Sequence, residues 1–379
     1  MTTLDETRLE DAAQLEAGDP GEMLRAVASS AAQVRESAAA TVDAGIVRLG
    51  EEGRPRAIVV LGMGGSGIAG DVLGALVGPE SPVPVFVHKG YGLPRWVGAA
   101  DLVVAVSCSG GTEETLSALE VAVRRGSRTL VVGAPNSPVA ELAAAGRSLF
   151  VPVEARGRQP RSMMWALSTP LALAADALGL AVVPPDDVEA TAVRLEEIAT
   201  SCRPDSESFV NPGKSLALAL GERLPMTWGT SGIAGVAAYR MLCQLAENAK
   251  SPGVSGTLPE ANHNQVVAFD GPAGGAAAGD IFADPDLDGP SGTRLRLVLL
   301  RDLEDEHPQV TRRAEVSKAI AEDRGVAVTE LVAEGSSRLE RLASLVGPID
   351  YGTVYLALAL GIDPTPVVAI QDLKDRIAT

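Results

Sequence analysis

Short, unbroken apolar runs punctuate this chain. Each is followed by a glycine-rich or polar corner and then by apolar residues at helical spacing. In "RAIVVLGMGGSGIAGDVLGALVG" a buried strand from Ile58 meets a glycine corner and a helix. "VPVFVHKG" reads as a second strand. "DLVVAVSCSGGTEETLSALEVAVRRG" reads as a third strand, a Ser/Gly/Thr corner and a helix, and "RTLVVGAP" and "SLFVPVE" as two more strands. Runs of this length bounded by turn signals read as buried strands, and the longer periodic stretches as helices. The residues before Gly50 read as helix broken at Pro20 and Gly21, and 161–180 as a further helix.

At "VVPPDDVEATAVRLEEIATSC" two prolines precede Asp186 and Asp187, which can cap a mostly polar helix, and a domain boundary is placed there. The pattern then restarts. "LPMTWGTSGIAGVAAYRMLCQLAENAK" is strand, corner and helix; "TRLRLVLLRD" is a strand. "PQVTRRAEVSKAIAEDRG" is a helix, "VAVTELVAEG" a strand, and "DYGTVYLALALG" and "DPTPVVAIQDLKDRIAT" are helices. Alternating strands and helices predict an α/β chain of two doubly wound parallel-sheet domains, flavodoxin-like or Rossmann-like, at 1–185 and 186–379. The pentapeptide SGIAG stands at both first corners, Ser66–Gly70 and Ser231–Gly235, which points to an internal duplication.

Composition narrows the function. A length of 379 residues with 46% hydrophobic content is enough for two cores. The formal net charge of −17 argues against nucleic acid and against an anionic membrane surface as partners. It leaves room for a small phosphorylated ligand, which backbone amides at a helix start can hold. Cys108, Cys202 and Cys243 show neither disulfide nor zinc spacing. The acidic, polar opening lacks the pattern of a secretory leader, and no run of 18 apolar residues occurs, so a cytoplasmic protein without a membrane span is expected.

"LGMGGSG" holds the dinucleotide fingerprint at Gly62, Gly64 and Gly67. A nicotinamide enzyme would place an acid at the end of the second strand, and this strand ends in His88 and Lys89. The next corner points elsewhere. "SCSGGTEET" offers the hydroxyls of Ser107, Ser109 and Thr112, with Gly110 and Gly111 freeing the backbone and a helix start behind them. Hydroxyls and amides converging on one point suit a phosphate monoester; a plain helix cap would need only one of them.

"GMGGSGIAGD" followed by "SCSGGTEET" resembles the sugar isomerase (SIS) domain, and the whole chain from about Ile58 to Lys374 is similar to the bifunctional phosphoglucose/phosphomannose isomerases. The resemblance implies two SIS domains in tandem with the substrate at their junction, and an aldose–ketose isomerisation of glucose 6-phosphate, and of mannose 6-phosphate, through a cis-enediol. It implies no cofactor and no metal. The three histidines, His88, His263 and His307, are widely separated, which fits.

Glu247 in "QLAENAK" lies near the end of the helix that SGIAG begins, where a carboxylate meets the negative helix pole. From its residues alone it is either a base or an ion-pair partner of Lys250. By resemblance it is the proton-transfer base. His263 in "EANHNQ" resembles the histidine that opens the sugar ring, often supplied by the second subunit of a homodimer. Arg161 in "QPRSMMW" resembles the arginine that stabilises the enediolate, and Lys374 in "IQDLKDR" the lysine that reaches the ring oxygen. Thr365 in "DPTPV" is a further candidate for the same pocket. The phosphate is assigned to Gly64, Gly65, Ser66, Ser107, Ser109 and Thr112. Cys108 and Gly111 depart from the family pattern, which more often has a larger, commonly aromatic residue and Asn; both bear on pocket shape. Two other classes compete. One is a non-catalytic SIS module that senses a phosphosugar, which would not need the glutamate or the histidine. The other is a nicotinamide dehydrogenase, which the missing ribose acid disfavours.

Overall fold

Strands buried on both faces need no polar alternation, which is why runs such as "LVVAVS" are apolar nearly throughout. The computed structural model describes residues 4–221, 223–274 and 294–377. They form two bodies, each built on one parallel sheet.

The first body comprises 28–196 together with 335–343. Its strands are β1 Ile58–Leu61, β2 Val85–His88, β3 Leu102–Ser107, β4 Arg128–Gly133 and β5 Leu149–Pro152. They pair in parallel in the order β2-β1-β3-β4-β5, with Ile58 opposite both Val85 and Leu102. Alternation along the strands feeds two cores. Ile58, Val60, Val104 and Val106 meet Leu73, Leu167 and Leu171 on one face. Val59, Leu61, Val103 and Ala105 meet Leu119, Ala122 and Val139 on the other. Helices Gly65–Val77 and Met164–Ala177 cover the first face, and Glu113–Arg124 and Pro138–Ala145 the second.

The second body comprises 197–334 and 344–379 with the chain up to Val27. Its strands, β6 Leu224–Gly229, β7 Val254–Thr257, β8 Leu295–Arg301 and β9 Ala327–Val332, pair in parallel in the order β7-β6-β8-β9. Numbered within the body, this is the order 2-1-3-4, which the first sheet shares and extends by a fifth strand. Trp228, Leu297, Leu299, Phe269 and Ala314 form its core on one face.

The expected division at 185/186 requires correction. Helix Pro185–Ser201 runs unbroken through that point, and the bodies part at 196/197. The chain up to Val27 does not join the first body, whereas helix Ser30–Asp43 does. Leu9 and Leu15 are buried, the Asp5 N–H donates to the Ala359 carbonyl at 3.0 Å, and Glu10 accepts from the Ser208 N–H at 3.1 Å. A helix at 212–220 and strand β7 are additions to the elements expected from the sequence. Thr293, and the last two residues read into the final helix, lie outside the described residues. Helix Arg338–Ala359 alone among the described residues is long and apolar enough to cross a membrane, and 89% of its apolar window is buried in the protein.

Candidate active site

In the first sheet the chain moves from β1 outward to β2 and then returns past β1 to β3. The crevice beyond the carboxyl ends of β1 and β3 is where open α/β sheets accept ligands. The two corners singled out in the sequence end there.

After β1, Gly64 takes φ +53° and begins helix Gly65–Val77 without any side-chain cap. The Ser66 hydroxyl accepts a hydrogen bond from the backbone N–H of Cys108 at 3.2 Å, which ties the two corners together. After β3, Gly110 adopts φ +71° beside Ser137, where a side chain would collide with that serine's Oγ. The three expected hydroxyls do converge. Ser107 Oγ donates to Thr112 Oγ1 at 3.2 Å, and Ser109 Oγ lies 3.4 Å from the same oxygen. Thr112 stands at the N-cap of helix Glu113–Arg124 but makes no side-chain capping bond. The first-turn amides are therefore left without the partner that a capping threonine usually gives them.

Arg161 is buried, not a surface arginine, in the turn Pro160–Ser162. Gly65 explains its place: a Cβ there would lie 2.9 Å from the Pro160 carbonyl and 3.4 Å from the Arg161 nitrogen. Lys89, just past the end of β2, donates to Asp71 at 2.9 Å. Cys108 packs in the core with Met163, so its small size is felt there. Burial pushes its thiol up to about 11, against the opposing charge of Arg158. A side chain added at Gly111 would meet open space. A cleft of about 190 Å3 between helix Ser30–Asp43 and the end of β5 is lined by Gln33, Glu36, Arg156, Arg158 and Met163, and by none of the expected site residues.

The first body thus gathers Gly64, Gly65, Ser66, Ser107, Ser109, Thr112 and Arg161. The remaining candidates belong to the second body. Glu247 is half-buried, one residue from the end of helix Gly232–Asn248. Lys250, its alternative partner, donates to the Glu247 backbone carbonyl at 2.6 Å and to the Pro364 carbonyl at 3.3 Å, joining that helix end to the "DPTP" segment with Thr365. His263 ends the 3-10 turn Glu260–His263 and is exposed. Beside it, Asn264 donates to Glu260 at 2.8 Å and Asn262 to Ser317 at 2.7 Å, so both flanking side chains have partners in their own body. Lys374 is exposed on helix Val368–Ile377.

The second SGIAG corner is filled by its own side chains. Ser231 caps helix Gly232–Asn248, accepting from the Ala234 N–H at 3.3 Å, and donates to the buried carboxylate of Asp302 at 2.8 Å. Thr230 Oγ1 accepts from the Asp302 N–H at 3.1 Å. Arg301 forms a bidentate pair with Glu306 at 2.6 and 2.7 Å. Sequence reasoning missed these residues; the signal was the charged pair "RD" closing an otherwise apolar strand. Among the described residues no group of three His, Cys, Asp or Glu side chains could hold a metal ion.

Two family models match. Residues 54–175 match the SIS domain, and 209–377 match the bacterial phospho-glucose isomerase C-terminal SIS domain. A bifunctional phosphoglucose/phosphomannose isomerase of Caldicellulosiruptor bescii is 32% identical, over 85% of this chain and 89% of its own. Another of that name from Aquifex aeolicus is 33% identical, over 85% and 90%. Among solved structures, a hypothetical protein of Thermus thermophilus superposes with a TM-score of 0.68 at 17% identity, covering 100% of this chain and 99% of its own. Tagatose-6-phosphate ketose/aldose isomerase of Escherichia coli gives 0.64 at 15% identity, covering 94% and 98%. At such identities the structural likeness speaks for the fold alone.

Proposed function

This chain belongs to the bifunctional phosphoglucose/phosphomannose isomerase family, and we propose that it interconverts glucose 6-phosphate, and mannose 6-phosphate as well, with fructose 6-phosphate. The observation that carries this reading is the cluster of Ser107, Ser109 and Thr112 at an uncapped helix start. Uncapped amides and hydroxyls bind a phosphate dianion without a net positive surface.

His263 assists ring opening, and Lys374 serves the ring oxygen. Glu247 then takes the proton from C2 of the open-chain aldose and returns it to C1, while the O2 hydroxyl proton passes to O1. The electron pair left by the C2 proton forms the enediol double bond, and the guanidinium of Arg161 balances the negative charge that grows on oxygen. No redox partner enters, because the oxidation of one carbon and the reduction of its neighbour cancel. We assign no metal and no nucleotide cofactor to the reaction. The exposed position of His263 suits donation to a second copy, so the active form is proposed to be a homodimer in the cytoplasm, with neither nucleic acid nor membrane as partner.

A coupled assay of fructose 6-phosphate conversion tests this. Turnover should survive exhaustive chelation and require no NAD(P). Glu247→Gln should lower it by roughly a hundredfold or more, the range for lost general-base catalysis. Binding of fructose 6-phosphate without exchange of substrate hydrogen for solvent deuterium would make the chain a phosphosugar sensor instead.

A further inference from the structure

The helix that ends at Glu247 and Asn248 is tied down by buried polar groups. Arg240, Gln244 and Asn248 stand four residues apart and form one stripe along it. Arg240 donates through Nε and Nη2 to the two carboxylate oxygens of Asp350, at 2.8 and 2.7 Å. Gln244 donates to Asp350 Oδ1 at 3.1 Å. Asn248 donates to Thr353 Oγ1 at 3.1 Å, and that hydroxyl donates to the Asp350 carbonyl at 3.1 Å. All five side chains are buried.

The molecule contains its own control. Helix Gly65–Val77 follows the first strand of the other sheet and begins with the same pentapeptide. It packs through Ile68, Ala69, Val72, Leu73, Leu76 and Val77, and its one buried polar side chain, Ser66, belongs to the corner. Apolar packing therefore holds a helix in this position of the fold. A buried ion pair adds little stability over apolar packing of the same volume, but it has only one good geometry. A bidentate guanidinium–carboxylate pair fixes distance and direction together. The two helices also differ in what they carry: one ends beside a catalytic carboxylate, the other does not.

We propose that Arg240, Gln244, Asn248, Asp350 and Thr353 are positioning residues for proton transfer, fixing the rotation and axial register of the helix end that presents Glu247. The proposal rests on Glu247 being the base. A proton-transfer group must be held to within about half an ångström of its productive place, and a misplacement of about 1 Å can cost on the order of a hundredfold in rate.

The test uses the full-length protein and three variants, with kcat, KM and solvent-deuterium exchange at the substrate's transferred hydrogen as readouts. Thr353→Val keeps the volume and removes the acceptor of Asn248. It should lower kcat roughly tenfold to a hundredfold, with exchange falling in step and KM within about twofold. Thr353→Ser, which keeps the hydroxyl, should restore most of the loss. Glu247→Gln runs beside them. If it is inactive while folded Thr353→Val turns over like wild type, the positioning role is wrong and the base stands. If Glu247→Gln turns over normally, the base reading falls and this proposal with it. Should Thr353→Val not be recovered folded, Gln244→Leu leaves the Arg240–Asp350 pair in place and gives the same readout; an unchanged kcat there overturns the proposal equally.

Discussion

Two corners begin with the same five residues and put the serine to different use. Three residues, Met63 to Gly65, separate Gly62 from Ser66, whereas Thr230 alone separates Gly229 from Ser231. In both corners a hydroxyl accepts the backbone N–H that follows the third strand of its sheet: Ser66 from Cys108, Thr230 from Asp302. In the short corner Thr230 takes that bond, so Ser231 is left to cap its helix. In the long corner Ser66 takes it, and the cap falls to Gly64, which has no side chain to offer. One corner leaves its helix start without a side-chain cap. The other supplies an internal anion, Asp302, and closes. Loop length, more than the shared pentapeptide, decides whether the serine caps its own helix.

The sharpest way to break this comparison is to strip the hydroxyl corner after β3, which Ser66 ties to the long one. Replacing Ser107, Ser109 and Thr112 with Ala together should weaken sugar-phosphate binding by a hundredfold or more in calorimetry, since each charge-assisted bond contributes about 1.5–3 kcal/mol. Thermal stability should change far less. Equal affinity in variant and wild type would remove the phosphate from this corner.

The converse applies to the closed corner. Asp302→Ala removes the acceptor of Ser231 from a fully buried position. It should cost about 1.5–3 kcal/mol in urea unfolding while leaving the phosphate affinity of the folded protein unchanged. A stability loss without an affinity loss here, and the reverse above, would establish the division of labour; a loss of both in either variant would erase it.

The smallest effect concerns acid. Burial alone would raise the pKa of Glu306, but hydrogen bonds from Arg301 and Thr230 outweigh it and hold the carboxyl below its ordinary 4.5. Burial likewise opposes, and Lys318 and Arg301 outweigh, at Glu330. A depressed carboxyl contributes stability above its unfolded value and loses it as pH falls through the folded one. The unfolding midpoint should therefore decline below about pH 4.5, and Glu306→Gln should flatten part of that decline. A wild-type midpoint that stays level to about pH 3 would show that these pairs contribute nothing.

What was legible in the chain was local. "LVVAVS" is readable because both of its faces are buried. The hydroxyl corner is readable because its parts fall within six residues. Strand β7, "VSGT", is short, polar and half-buried, and has no apolar run to find. Helix Pro212–Leu220 contains "SLALAL", whose alternation imitates a strand. Helical spacing before Gly50 does not say what a helix packs against, so the segment up to Val27 reads as part of the wrong body. Ser231 and Asp302 lie 71 residues apart, and Arg240 and Asp350 lie 110 apart. No spacing rule links them, because the fold alone brings them together.

The interleaving of the two bodies has a consequence for the order in which they can form. Residues 335–343 belong to the first body, where Arg338 donates to the Leu76 carbonyl at 3.1 Å and Glu340 pairs with Arg194 at 3.2 Å. During synthesis the first sheet emerges long before that segment exists. The opening helices emerge earlier still, and their partners Ser208 and Ala359 come much later. Neither body can be completed until nearly the whole chain has left the ribosome, so a nascent chain halted after the first sheet carries apolar surface on Leu9 and Leu15 that has nowhere yet to go.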